Sequence, residues 1–302
     1  MLAASACVGC GRLRFVDRDG PAADADLAAD AAGSGCDRAQ AFGPAVPIPS
    51  LDPDGGVEGT VRLLPDELEG YDGSDRGDVG GPTRLYRVTR AALGAPFSAV
   101  ALDAHDSSDA GLSQADPIPS SDDAVLVFRR TGRGLGGVLF VATAAGATDT
   151  GVRELTELHT GAGEVQPFLQ VGGDELYFSS RRTGNGDIYR ATRAGTTFSA
   201  VTLVAAVSDA AAEEGDPVIS PDGLTLYFRS DRPADNAGFT IWMASRAAAC
   251  DAFGAPVQVP AVSSAGAEGP SWLSVDGCRL YLSSDRSGTN EPYVASRPAA
   301  RA

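Results

Sequence analysis

The chain has 302 residues and a formal net charge of −16. A surface this acidic repels phosphate backbones and excludes nucleic acid as a natural partner. All 24 basic residues are Arg, which excludes phosphate-loop and Schiff-base chemistry, both of which need a lysine. Hydrophobic residues make up 43%, enough for a core, while 37 Gly and 19 Pro imply many turns between short strands.

The first ten residues, MLAASACVGC, run small and apolar side chains into cysteine, which resembles the end of a bacterial lipoprotein signal. Gly9 before Cys10 is the better match, so Cys10 is the expected lipidation site and Cys7 the second choice. The resemblance implies export to the envelope of a Gram-negative bacterium, as a periplasmic or outer-membrane lipoprotein. Acyl chains would hold it to the membrane, since no run of about 20 apolar residues is present to span a bilayer. An ordinary disordered N-terminus stays open as the alternative. Residues 11–38 are rich in Ala, Asp and Gly with little aliphatic patterning, and read as a disordered tether.

From residue 39 to 298 the chain repeats itself. Residues 214–232, EGDPVISPDGLTLYFRSDR, recur without a gap as 268–286, EGPSWLSVDGCRLYLSSDR, and as 164–182, EVQPFLQVGGDELYFSSRR. Weaker copies occupy 58–76 and 114–132, which makes five units. Each holds an apolar strand, a turn and an alternating strand, then a third strand such as DIYRATR at 187–193 or TIWMASR at 240–246. A fourth follows, as in TFSAVTLV at 197–204 and FGAPVQVP at 253–260. Four antiparallel strands per repeat predict an all-β fold, a five-bladed β-propeller. The last unit lacks its fourth strand, and AFGPAVPIPS at 41–50 resembles the missing one. It is expected to pair with PYVASR at 292–297 and close the ring, which removes open sheet edges.

The pattern DPxxSPDGxxLYFxSDR…IYxAxR resembles the TolB-type, WD-like propeller repeat of bacterial envelope proteins, over about residues 41–298. TolB-like proteins often have six blades and an added α/β domain; the units counted here are five. With unique catalytic constellations scarce, the expected function is a monomeric, non-catalytic binding scaffold for an envelope protein, peptide or glycan, with no cofactor.

Candidate site residues follow from the repeat. Glu58, Glu164, Glu214 and Glu268 head the innermost strands, with Gln114 in the remaining place, so ring closure gathers them near the channel mouth. Such a ring could hold a hard cation or meet a basic peptide. Repetition favours the structural role, in which each Glu accepts N–H groups of the loop between blades. The pairs Asp75–Arg76, Asp231–Arg232 and Asp285–Arg286 read as scaffolding for the same reason. His105 and His159 have no zinc spacing, so no metal site is expected. The GxGxxG at 132–137 precedes a strand, where no helix N-terminus can cradle phosphate. The alternative to the scaffold is a propeller glycoside hydrolase, which needs two carboxylates in unlike environments. A Cys250–Cys278 disulfide is expected between adjacent blades, with Cys36 as a competitor for Cys278.

Overall fold

A computed structural model describes residues 35–51, 59–101, 111–143, 151–233 and 238–300. Cys7, Cys10, residues 11–34, Glu58 and His105 lie outside the described residues. The chain forms five four-stranded antiparallel sheets, the five blades of a propeller. Blade one is Arg62–Leu63, Glu69–Ser74, Arg84–Thr89 and Ser98–Ala101; blade two is Leu112–Pro119, Val125–Gly132, Leu135–Thr143 and Arg153–Glu154. Blade three is Glu164–Leu169, Glu175–Ser180, Asp187–Ala194 and Thr197–Leu203. Blade four is Glu214–Ile219, Thr225–Ser230, Thr240–Ser245 and Val257–Gln258. Blade five is Glu268–Leu273, Arg279–Ser284 and Glu291–Ser296, completed by Val46–Pro47 from the start of the propeller. Val46 pairs with Val294 and Pro47 with Tyr293, the expected closure.

The turn after each inner strand explains one part of the repeat. In blade four the Ser220 hydroxyl accepts the Thr225 N–H at 2.9 Å and bonds the Asp222 carboxylate at 2.6 Å. Gly223, at φ 71°, takes the corner that an L side chain resists. In blade one Glu67 takes this corner at φ 59°. Its side chain is thereby aimed at blade five, where Arg279 pairs with it at 2.5 Å and the Tyr281 hydroxyl donates to it at 2.8 Å. That contact knits the last blade to the first.

The disulfide joins Cys36 to Cys278, correcting the expected Cys250–Cys278 pair. Two features decide it. The N-terminal segment runs on beside blade five, where Cys36 bridges Ala299. Meanwhile the loop carrying Cys250 leans the other way and lines a cleft with Arg190 and Val204 of blade three. Cys250 is left as an exposed free thiol.

Candidate functional site

The repeated acids build the frame around the channel. Glu164, Glu214 and Glu268 are all buried. Glu214 accepts the Ser230 hydroxyl at 3.0 Å, Arg232 Nη2 at 2.8 Å and the Asp209 N–H at 3.1 Å. Arg232 also donates to the Val207 carbonyl of the preceding interblade loop at 2.6 Å, and its guanidinium lies over the Trp242 ring. The same lock recurs as Glu164–Ser180–Arg182–Leu158 and Glu268–Ser284–Arg286–Val262. In blade two Gln114 accepts Arg130 Nε at 2.9 Å. Burial pushes the Glu214 carboxyl above its ordinary range, against the bonds from Arg232, Asp209 and Ser230. These carboxylates are therefore taken up in joining blades. The repeated Asp side chains do the same: Asp231 and Asp285 accept the N–H groups of Glu213 and Ala267. Truncating Glu214 to Ala leaves Arg232 unpaired and should destabilise the fold by about 3 kcal/mol in denaturant titration. Glu214→Gln should cost less, because Gln114 fills the equivalent place.

The channel itself is lined by residues that break the repeat. Two positions after each strand head, the chain has Thr60, Asp116, Gln166, Asp216 and Pro270. Asp116, Gln166 and Asp216 have φ of 55°, 54° and 46°, and the pairing register shifts beside each of them. Such bulges re-aim a side chain out of the strand alternation, and positive φ at non-glycine residues concentrates at functional sites. The five blades together enclose an axial funnel of about 420 Å³ lined by Asp116, Gln166, Asp216, Arg129 and Arg229 among others. Arg129 Nε pairs with Asp116 at 2.7 Å and Arg229 Nε with Asp216 at 3.2 Å. The Asp216 N–H donates to Gln166 Oε1 at 3.2 Å. One layer deeper, Arg62, Ile118, Phe168, Val218 and Trp272 are fully buried and plug the channel. Arg62 stands where the other blades have an apolar residue, and its Nη1 donates to the Asp116 carbonyl at 3.2 Å.

The two aspartates are not equivalent. Burial pushes Asp216 above its ordinary range; Arg229 opposes this and the neighbouring charge of Asp116 adds to it. Burial also pushes Asp116 upward, but Arg129 and Arg62 outweigh it, and Asp116 ends below its ordinary range. Burial lowers Arg62. Asp216 is held against Gly269, where an added Cβ would lie 2.4 Å from its Oδ2. Gly269→Ala should therefore displace this carboxylate and weaken ligand binding in the funnel while leaving the thermal midpoint nearly unchanged.

Neither aspartate was singled out by the sequence reading, which followed the repeated Glu. The available signal was asymmetry: an acid in two units where the others carry Thr, Gln and Pro, each paired with an Arg three residues before Arg232 or at the equivalent Arg129.

No protein-family model matches the chain, and no curated protein sequence matches it. Among solved structures it is similar to a glycosyl hydrolase from Bacteroides ovatus, with a TM-score of 0.51 at 14% identity over 82% of this chain and 86% of that one. An α-L-arabinofuranosidase from Podospora anserina, in complex with cellotriose, gives 0.51 at 14% identity over 86% and 97%. TolB from Acinetobacter baumannii gives 0.48 at 14% identity over 80% of this chain and 55% of that one, so the chain spans about half of TolB. These likenesses are of fold. They correct the expectation that the chain is not an enzyme, because solved structures of similar fold include glycoside hydrolases.

Proposed function

We propose that the chain binds a glycan in the axial funnel and cleaves its glycosidic bond there. The observation that carries this reading is the pair Asp116 and Asp216, placed across one cavity with titration displaced in opposite directions. Pairs of carboxyl groups pushed apart in this way assign acid and base. Asp216, displaced upward by burial, acts in its protonated form and gives its proton to the glycosidic oxygen as the bond to the anomeric carbon breaks. Water adds to that carbon, and its proton passes to Asp116, which stays ionised beside Arg129 and Arg62. The side chains of Asp116 and Asp216 are only 11% and 5% exposed, so bulk water screens neither charge strongly. Incubation of the protein with a panel of bacterial and plant glycans tests the reading: reducing ends should appear with the native chain and at least about 100-fold more slowly with Asp216→Asn.

The cellular setting belongs to the same proposal. A TolB-type, monomeric envelope lipoprotein acylated at Cys10 would present the funnel to envelope or incoming glycans; the run of small residues before Cys10 supports it. Mass spectrometry of the mature N-terminus should find an acylated cysteine there.

A further inference from the structure

The funnel carries more positive charge than its two aspartates neutralise. Arg62, Arg129 and Arg229 make three guanidinium groups against two carboxylates, in a chain whose net charge is −16. Arg62 is fully buried, and its Nε and Nη2 have no partner among the described residues. It therefore leaves an uncompensated positive charge directly beneath the funnel.

The two upper arginines are also used asymmetrically. Arg129 donates its Nε to Asp116, whereas Arg229 Nε lies 3.2 Å from Asp216 as an ion pair without a hydrogen bond. Among the described residues, no hydrogen bond or ion pair engages the Nη atoms of either. Their side chains are 28% and 35% exposed, and both line the cavity. A guanidinium with a free two-nitrogen edge is the group that recognises a carboxylate through parallel hydrogen bonds. A neutral sugar offers these edges hydroxyl acceptors but no charge to match theirs.

The cavity also extends sideways. A second cleft of about 240 Å³ runs between blades three and four and shares Val165, Gln166 and Arg229 with the funnel. Phe239 lies in it, half-buried, at a position where the other blades have Thr83, Gly137, Gly186 and Asn290. The Arg229 guanidinium sits 4.7 Å from the Phe239 ring centre, which fixes its plane at the junction of the two spaces.

We propose that the ligand is an acidic glycan: an oligomer of uronate sugars, with a carboxylate held by Arg129 and Arg229 in the funnel and the next unit in the cleft beside Phe239. The inference rests on the glycan reading of the funnel and adds the charge and the length of the ligand. The arginines of the funnel offset like-charge repulsion from a chain of net charge −16, so the opening also favours where an acidic chain docks.

Calorimetric titration with trisaccharides of galacturonate, glucuronate and mannuronate, each also as its methyl ester, tests this. At least one acid should bind, its ester should bind at least about tenfold more weakly, and added salt should erode the difference. Arg129→Gln and Arg229→Gln should each abolish the preference for the acid, while Arg229→Lys, which keeps the charge and loses the fork, should retain part of it. Thermal melts and retained ester binding show that each variant is folded. Equal binding of acid and ester, or a preference unchanged in both Gln variants, overturns the inference and leaves the glycan reading standing. Failure of every acid and every ester to bind overturns both.

Discussion

Asp216→Asn is expected to lower the rate of glycosidic cleavage by about 10²-fold or more, the usual share of a positioned general acid. The pH profile gives the sharper test. Asp216 works protonated and is displaced upward by burial, so the native profile should fall on its alkaline side above the ordinary carboxylate range. Asp116 works ionised and is displaced downward, so the acid side should fall below that range. In Asp216→Asn the alkaline limb should vanish while the residual activity keeps the acid limb. Asp116→Asn should remove the acid limb instead. A profile whose limbs do not move with either substitution would assign the acid and base elsewhere. Asn preserves the shape of Asp and the bond from the Asp216 N–H to Gln166, so loss of rate without loss of the melting transition identifies chemistry and not folding.

The second large effect concerns closure of the ring. Cys36 and Cys278 are separated by 242 residues, so their bond constrains nearly the whole unfolded propeller. The chain-entropy model puts such a long loop at about 5 kcal/mol. Cys36→Ser, or reduction before heating, should lower the melting midpoint by more than about 10 °C. Cys250→Ser should leave it unchanged, since that thiol is exposed and free. The loss should be confined to the junction at first, because without the bond the segment is held on blade five by the short Val46–Pro47 pairing and a few flanking hydrogen bonds such as Gly43 to Ser296 and Ile48 to Pro292. Hydrogen exchange should show residues 35–48 and 291–296 opening before the inner strands. An unchanged midpoint in the reduced protein would mean that the strand closure and the Glu67, Arg279 and Tyr281 contacts hold the first and last blades together without the disulfide.

The blade count, the four-strand unit and the closure by residues 41–50 were legible in the chain because they are local patterns repeated in register. Turn chemistry and strand alternation act within a few residues, as in the Ser220–Asp222 turn, and the Glu214–Ser230–Arg232 lock stays inside one repeat unit. The lock gives the repeated Glu the structural role that repetition favoured: a group copied in most blades serves what all blades share, which is their joining.

The site was not legible in the same way, for a geometric reason. Asp116 and Asp216 lie 100 positions apart in the chain and meet only across the propeller axis. Their direction depends on bulges that no alternation pattern signals. Their unlike titration depends on the Arg129 bond that holds Asp116 down and on the charge of Asp116 that pushes Asp216 up from another blade. The choice of Cys36 over Cys250 has the same origin, being decided by which way two loops lean once the ring has closed. The sequence by itself determined the wall, because short-range turn and strand energetics build each blade. Only the tertiary structure decided what the wall encloses, because the charges that face one another are brought together by closure alone.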